Sequence, residues 1–588
     1  MIDSGAGYGL RLSWKWSQIF AKVGSFCLVI FLCQRSRQLP DNVAGSSLNL
    51  KSQWEKMKAL FAVRATVVAA ALLTVCALMT GCGAAGSTPS SLTGGSVTDT
   101  QNPLVAMYTI RTGCPAGQIM VEFGPTSSYG RSTSWSAPSP YYSSLLVAGM
   151  KASTTYHMRA QVQCNRTTST SPDTTFTTGP LPSSLAFPKL VVSRPNPSLS
   201  STENPGIESI DVIVAQAPGF LTPAFFTDRD GNVIWYYDVG TGNFAFPFKL
   251  LPSGNILLNI TNAVTVSVLR EIDLAGNTIR EINILDLQHK MANAESFDFV
   301  PFGFTHDFLM LPNGHIVVIV ACFKDFTNLP GNPGTIRVTG DALVDLDQNW
   351  NPVWAWNSFD YLDVNRHLNG LPDWTHSNAL MYSPLDGNIL ISMRHQSWIL
   401  KLDYEDGAGT GRVLWRVGYQ GDFALSQNGV PTDDPSVWFS FQHFPSFVSQ
   451  SGLQTTLAIW DNGNDRILNT SGEVCVDPNS GQPYPPCYAR ATVFQTDEIA
   501  KVANLLWANP LPYYSVWGGS INQLDNGNIE FDANDPQLPP GPTVTSEVQE
   551  VTQTSDPQVI WKMDIPVPMS AYRAYRVPSL YPKITWQY

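Results

Sequence analysis

Three of the chain's eight histidines stand in surroundings that repeat. Phe304-Thr305-His306-Asp307, Asp373-Trp374-Thr375-His376-Ser377-Asn378 and Phe441-Gln442-His443-Phe444 lie beside apolar, strand-forming runs. A neutral imidazole can attack an electrophile or carry a proton near neutral pH. Taken singly, each histidine equally suits the plainer role of satisfying a local backbone group. Their repeated placement suggests equivalent points of successive sheets facing one cavity. Arg394, in Ser392-Met393-Arg394-His395-Gln396, adds a permanent cation. Its planar fork matches a sulfate- or phosphate-like anion. An ion pair between neighbouring sheets is the structural alternative.

Other chemistries are excluded by what the sequence lacks. There is no Gly-x-x-x-x-Gly-Lys motif to cradle a nucleotide phosphate. There is no Cys-x-x-Cys or Cys/His spacing for structural zinc. The formal net charge is -12, with no lysine or arginine run, which argues against a nucleic-acid partner.

The elements that must position these residues are strands. Charged residues make up only 14% of 588, while Gly (44), Pro (43) and aromatics are abundant. Turn formers with aromatics, and no long charged helical stretches, indicate an all-β protein. From about residue 185 a loose repeat appears. Leu-Pro-x-Gly-Asn/His turns begin at Leu251 and Leu311, with looser copies at Pro384 and Leu524. Apolar runs end in Trp235, Trp354, Trp415 and Trp561. Copies spaced roughly 60–75 residues apart point to a six-bladed β-propeller over residues 185–588. A large irregular β-sandwich, or two β-domains, is the alternative. Residues 100–180 alternate with period two, and Leu146 to Val162 resembles the late strands of a fibronectin type III β-sandwich. That module would act as a spacer or a dimerisation element, so a homodimer is one expectation.

The N-terminus carries an address. Lys58 and Arg64 precede the apolar run Ala65 to Met79, which ends in Thr80-Gly81-Cys82. This pattern is a lipoprotein signal over 57–81, with Cys82 as the lipidated residue. A plain signal peptide or a membrane anchor is the alternative. Residues 1–56 are then a spurious extension ahead of Met57, and 82–99 a Gly/Ser/Thr-rich tether. The expected location is the periplasm, lipid-anchored to a membrane. In that oxidising setting Cys114–Cys164 and Cys475–Cys487 are candidate disulfides, and Cys322 a buried free thiol.

The ordered set His306-Asp307, His376-Ser377-Asn378, Arg394-His395-Gln396, His443 and Asp461-Asn462-Gly463-Asn464 with Arg466 resembles the bacterial arylsulfate sulfotransferase family. The resemblance covers roughly 185–588. It implies a six-bladed propeller with a smaller N-terminal β-domain, exported to the periplasm. It also implies sulfuryl transfer from a phenolic sulfate donor to a phenol acceptor, without the nucleotide sulfate donor and with no cofactor. By motif position His443 corresponds to the nucleophile that forms a sulfohistidine. His306, His376, Asn378 and Arg394 match the remaining site positions. Arg394 and Asn378 would hold the sulfuryl oxygens, and His306 or His376 would move the proton. The Cys475–Cys487 pair resembles a disulfide of the family. The competing readings are a non-catalytic binding propeller at the cell surface or in the periplasm, and a hydrolase that passes the sulfuryl group to water.

Overall fold

The computed structural model describes residues 92–587, except 115–116, 140, 165, 214–222, 263–264, 295, 369, 476–486 and 537–543. Cys82, the expected signal, residues 1–56 and the first half of the expected tether lie outside the described residues. The tether's end differs from expectation: Ser96–Asp99 is a strand, paired antiparallel with Ala106–Arg111.

Strands dominate, as composition requires. Among the described residues the α-helices are Ile284–Ala294 and the single turn Ser358–Tyr361. Strand pairing builds eight sheets: one of three strands, four of four, two of five and one of six. Seven are open paths with two edge strands, the eighth branches where Thr174–Thr177 also pairs with Thr155–Cys164, and among the described residues none closes on itself into a barrel. The six-stranded sheet is irregular, because Ala424–Gln427 runs parallel to Val502–Pro510. The expected six-bladed β-propeller behind a fibronectin type III-like sandwich is therefore corrected to an all-β, multi-sheet architecture.

The correction has a physical reason. At Leu251, Leu311 and Leu524 the repeat closes tight turns, in which Gly254, Gly314 and Gly527 donate back to the leucine carbonyls at 2.9, 2.9 and 2.8 Å. Those glycines take φ of 88, 82 and 85°. Any antiparallel meander needs such turns. The repeat thus encodes hairpins and leaves open how sheets are arranged about one another. Period-two alternation likewise encodes half-buried strands without specifying a sandwich.

Inner strands bury both faces. In Ile316–Leu329 the side chains of Ile316, Val318 and Val320 enter one core, and Val317 and Ile319 enter the next. A continuous apolar run suits a strand covered on both sides. Each such side chain contributes about 1.5–3 kcal/mol of transfer free energy. Trp235, Trp415 and Trp561 are also fully buried between sheets.

Three strands relevant to the site lie at sheet edges. Gly303–Met310 borders the sheet that continues through Ile316–Leu329. Ser377–Ser383 borders the one that continues through Asn388–Met393. His443–Ser451 borders the six-stranded sheet. A fourth strand, Ser570–Val577, pairs antiparallel with Ile207–Ile213, so the two ends of a long stretch of chain meet.

Candidate active site

His306 lies in Gly303–Met310, His376 directly precedes Ser377–Ser383, Arg394 follows Asn388–Met393, and His443 opens His443–Ser451. The structure brings all four together. The His306 and His376 rings are 4.6 Å apart between centroids, and Arg394, His376 and His306 all lie within electrostatic reach of His443.

His443 is 2% exposed and fully specified by its neighbours. Asn462 donates through Nδ2 to the carbonyls of Ser515 and Gly518, each at 3.1 Å. Its Oδ1 must therefore face His443, where it accepts from Nδ1–H at 2.7 Å. That bond places the ring's lone pair on Nε2, where it accepts from a backbone amide. The Gly518 N–H reaches Nε2 at 3.2 Å. Burial, with the nearby Arg394 cation, pushes His443 well below the ordinary imidazole pKa. The ring is neutral, with its lone pair on Nε2.

Behind His443, cross-ties fix the start of its strand. Gln442 Nε2 donates to Ser392 Oγ at 3.0 Å and to the Trp398 carbonyl at 2.9 Å. Asn378 is fully buried and donates from Nδ2 to the Gln442 carbonyl at 2.7 Å. Asp461 accepts from the Ser440 N–H at 2.9 Å and pairs with Arg466 at 2.8 Å and Arg490 at 2.6 Å. Arg466 is thus a strut of the site and not one of its reacting groups.

Arg394 and three neighbours form a directed chain. Arg394 Nη1 donates to His395 Nε2 at 2.6 Å, and His395 Nδ1–H donates to the Asp373 carbonyl at 2.8 Å. Asp373 Oδ2 accepts from His376 Nδ1–H at 2.6 Å. Arg394 also donates to the Val516 carbonyl at 3.3 Å and lies 5.2 Å from the Phe441 ring. Its Nε is buried with no partner, so the guanidinium has spare donor capacity. Burial lowers its pKa, but from a value so high that it remains a cation. Burial also drives His395 down to about 3. Burial pushes Asp373 up, but the His376 hydrogen bond and nearby histidines overcome it and hold the carboxyl below its ordinary value.

Asp373, His376 and His395 are close enough to suggest a metal site. The donor set does not fit one. Both His395 ring nitrogens are committed, Nδ1–H to the Asp373 carbonyl and Nε2 as acceptor from the Arg394 guanidinium.

His306 presents a different environment. Its Nδ1 is buried and has no hydrogen-bond partner. Burial, then the charge of His376, pushes its pKa well below the ordinary value. Beside it sits Tyr572, whose ring is 5.9 Å from His306 and 6.1 Å from His443. The Tyr572 hydroxyl is buried without a partner, and burial raises its pKa, so it stays protonated with an O–H to donate. Half-buried Phe246 and Trp517 flank that ring at 5.1 and 6.4 Å. Together these aromatics line one side of the site with flat apolar surface.

Asp307, adjacent to His306, serves the frame. It pairs with Lys249 at 2.6 Å and Arg573 at 3.3 Å, and accepts from the Leu380 N–H at 2.9 Å. Arg573 also donates to the Asn378 carbonyl at 3.0 Å.

Keeping His306, His395 and His443 neutral links stability to pH. The unfolded chain binds protons on these rings below about pH 6.5, while the folded chain does not. More protons on the unfolded state means that stability rises with pH and falls on acidification. Buried Asp211, Glu530 and Asp532, whose carboxyls burial raises, contribute with the opposite sign over the same window. The test is therefore a difference: the change in urea midpoint between pH 7.5 and 5.5 is expected to shift toward greater acid stability in His306→Asn relative to the wild type. An unchanged pH profile in that variant contradicts the neutral assignment.

Sequence reasoning pointed to His306, His376, Asn378, Arg394 and His443, and these are the residues found together. It missed Tyr572 and the Gly518 N–H, and took Asp373 and Asn462 only as parts of motifs. Among the described cysteines, Cys114 is bonded to Cys164 and Cys475 to Cys487, with the Cys475 N–H donating to the carbonyl of the strut Arg466 at 2.9 Å, while Cys322 is free and buried.

No curated protein matches the chain. Among the solved structures similar to it, two illustrate how remote the likeness is. One is a protein of unknown function from Bacteroides caccae, 10% identical, covering 52% of this chain and 94% of its own, with a TM-score of 0.23. The other is a member of the DUF4221 family from Bacteroides vulgatus, 8% identical, covering 67% of this chain and 98% of its own, with a TM-score of 0.26. Likenesses this distant carry no argument. The Arylsulfotransferase (ASST) family model, by contrast, matches residues 204–576, a span that contains every site residue described above. The chain therefore belongs to the arylsulfotransferase family and is a sulfotransferase-type enzyme.

Proposed function

We propose that the protein moves a sulfuryl group from a phenolic sulfate ester to a phenol by a ping-pong route through a sulfohistidine on His443. The observation that carries this reading is the fixed tautomer of His443. Its Nδ1–H is committed to Asn462, so a neutral ring offers Nε2. In the first half-reaction Nε2 attacks sulfur and the bond to the aryl oxygen breaks. In the second, an acceptor phenol oxygen attacks the same sulfur and Nε2 leaves. Arg394 holds the sulfuryl oxygens through its planar fork. Asn378 keeps one amide N–H on the Gln442 carbonyl and has a second to offer. Tyr572 contributes a neutral donor, and Phe246 and Trp517 receive the aryl ring. Nothing in this route calls for a metal or the nucleotide sulfate donor.

The test is direct. Purified protein is given 4-nitrophenyl sulfate and a phenol, and both products are measured. Acceptor sulfation matching nitrophenol release supports the reading. Free sulfate as the product makes the protein a hydrolase. No release from folded protein leaves a binding role.

Replacing Asn462 with alanine frees the imidazole to rotate and change tautomer. Turnover is expected to fall on the order of 10²-fold, with KM little changed. An unchanged kcat contradicts the role given to Asn462.

We also propose that the chain is exported and anchored through lipid on Cys82. The Cys114–Cys164 and Cys475–Cys487 bonds support an oxidising compartment. Incorporation of labelled fatty acid, lost in Cys82→Ala, tests the anchor.

A further inference from the structure

Sulfuryl transfer between phenols requires one group to protonate the departing oxygen and later deprotonate the acceptor. Two histidines, His306 and His376, stand side by side in the site, and motif order does not separate them. From their surroundings we infer that His376 is the general acid and base, with Asp373 as its positioning residue, and that His306 moves no proton. This assignment rests on the sulfuryl-transfer reading above and deepens it.

The two rings differ in what stabilises a proton on them. His376 gives its Nδ1–H to the Asp373 carboxylate at 2.6 Å. That bond orients the ring, leaves Nε2 as the nitrogen that gains or loses the proton, and sets a negative charge against the imidazolium. His306 has no such partner, and its Nδ1 is buried without a hydrogen bond. Asp373 favours a proton there through its charge, without the hydrogen bond it accepts from His376, and burial, His376 and the Arg573 and Arg394 guanidiniums oppose it.

Asp373 is held for this task. The Thr339 N–H donates to the Pro372 carbonyl at 2.8 Å, and the Trp374 N–H donates to the Thr339 carbonyl at 3.0 Å. These bonds clamp the backbone on either side of Asp373. Thr375 Oγ1 and the Ser377 N–H both donate to buried Asp341 at 2.6 Å, which clamps the backbone on either side of His376. His376 itself sits at φ 47°, a conformation that this double clamp enforces. The remaining histidine near Asp373 does not compete. His395 Nδ1 is 3.7 Å from the carboxylate and donates instead to the Asp373 carbonyl.

The proton balance closes. In the first half-reaction Nε2 of His443 bonds to sulfur, the S–O bond to the aryl group breaks, and the Nε2 proton of His376 goes to the departing oxygen. His376 is then neutral. In the second, His376 takes the acceptor's phenolic proton as its oxygen bonds to sulfur and the S–N bond to His443 breaks. The Asp373–His376 couple returns to its starting state without exchange with water.

The dependence of rate on leaving-group acidity tests this. Donors range from 4-nitrophenyl sulfate, whose phenol is strongly acidic, to 4-methylphenyl sulfate, whose phenol is weakly acidic. A missing general acid hurts most where the leaving oxygen most needs a proton. The variants are His376→Asn, Asp373→Asn and His306→Asn. Asparagine tolerates the left-handed backbone at position 376, and Asp373→Asn is nearly isosteric. His376→Asn is expected to lose about 10²-fold in kcat/KM on the weakly acidic donor and much less on the nitrophenyl donor. Asp373→Asn is expected to steepen the same dependence by about tenfold. His306→Asn is expected to shift all donors alike. Steepening by His306→Asn, or equal losses across donors in Asp373→Asn, overturns the assignment. Absence of transfer by the wild-type protein from every donor overturns the reading beneath it, and the assignment with it. The two failures are thereby distinguished.

Discussion

Replacement of His443 by alanine is expected to remove sulfuryl transfer by about 10⁴-fold or more, because it deletes the nucleophile. The fold should survive. His443 is buried at the start of an edge strand, but Gln442 and Asn378 keep the backbone there in place. Losing the ring costs the Asn462 bond and some packing, roughly 1–3 kcal/mol of stability. Far-UV circular dichroism and a urea midpoint would separate lost chemistry from lost fold. A folded His443→Ala variant that retains a tenth of the wild-type rate places the nucleophile elsewhere.

Replacing Arg394 with methionine is expected to cost roughly 10³-fold in kcat/KM. Methionine preserves much of the side chain's length and apolar volume, so packing on Phe441 is largely kept while the charge is lost. What disappears is the planar fork that holds the sulfuryl oxygens as sulfur passes from oxygen to nitrogen. The His395 Nε2 is also left without its donor, although that ring is buried and neutral and loses only one hydrogen bond. Arg394→Lys should recover part of the loss through charge but not geometry, because an ammonium cannot bond two oxygens in one plane. Equal activity of the lysine and wild-type proteins would show that charge alone suffices there. Wild-type activity in the methionine variant would remove Arg394 from the transition state.

The site was legible in the sequence to the extent that its residues lie next to short motifs. His306, His376, Asn378, Arg394 and His443 each stand beside a strand-forming run, and an ordered set of such positions survives without knowledge of the fold. Tyr572 and Arg573 carry no comparable signal. They reach the site because Ser570–Val577 pairs with Ile207–Ile213, a contact between chain segments more than 350 residues apart that no local pattern announces. Asp373 was visible as part of a motif, but its role depends on a 2.6 Å bond created by a turn at His376. The all-β character was legible from turn formers and aromatics. The arrangement of sheets was not, because Gly254, Gly314 and Gly527 encode tight turns wherever those turns lie. Asp307 illustrates the opposite hazard: it sits next to a site histidine, yet its charge is spent holding Lys249 and Arg573.

The central claim is that the sulfuryl group rests on His443 between donor and acceptor. It is tested most directly by mixing enzyme with 4-nitrophenyl sulfate in the absence of acceptor, quenching into alkali, and mapping modified peptides by mass spectrometry. The account predicts a burst of about one nitrophenol per active site and one added sulfuryl group on the peptide that contains His443. Addition of a phenol should then discharge it. A modification on His306, His376 or a hydroxyl side chain, or product formation with no enzyme-bound intermediate at any time, would contradict it.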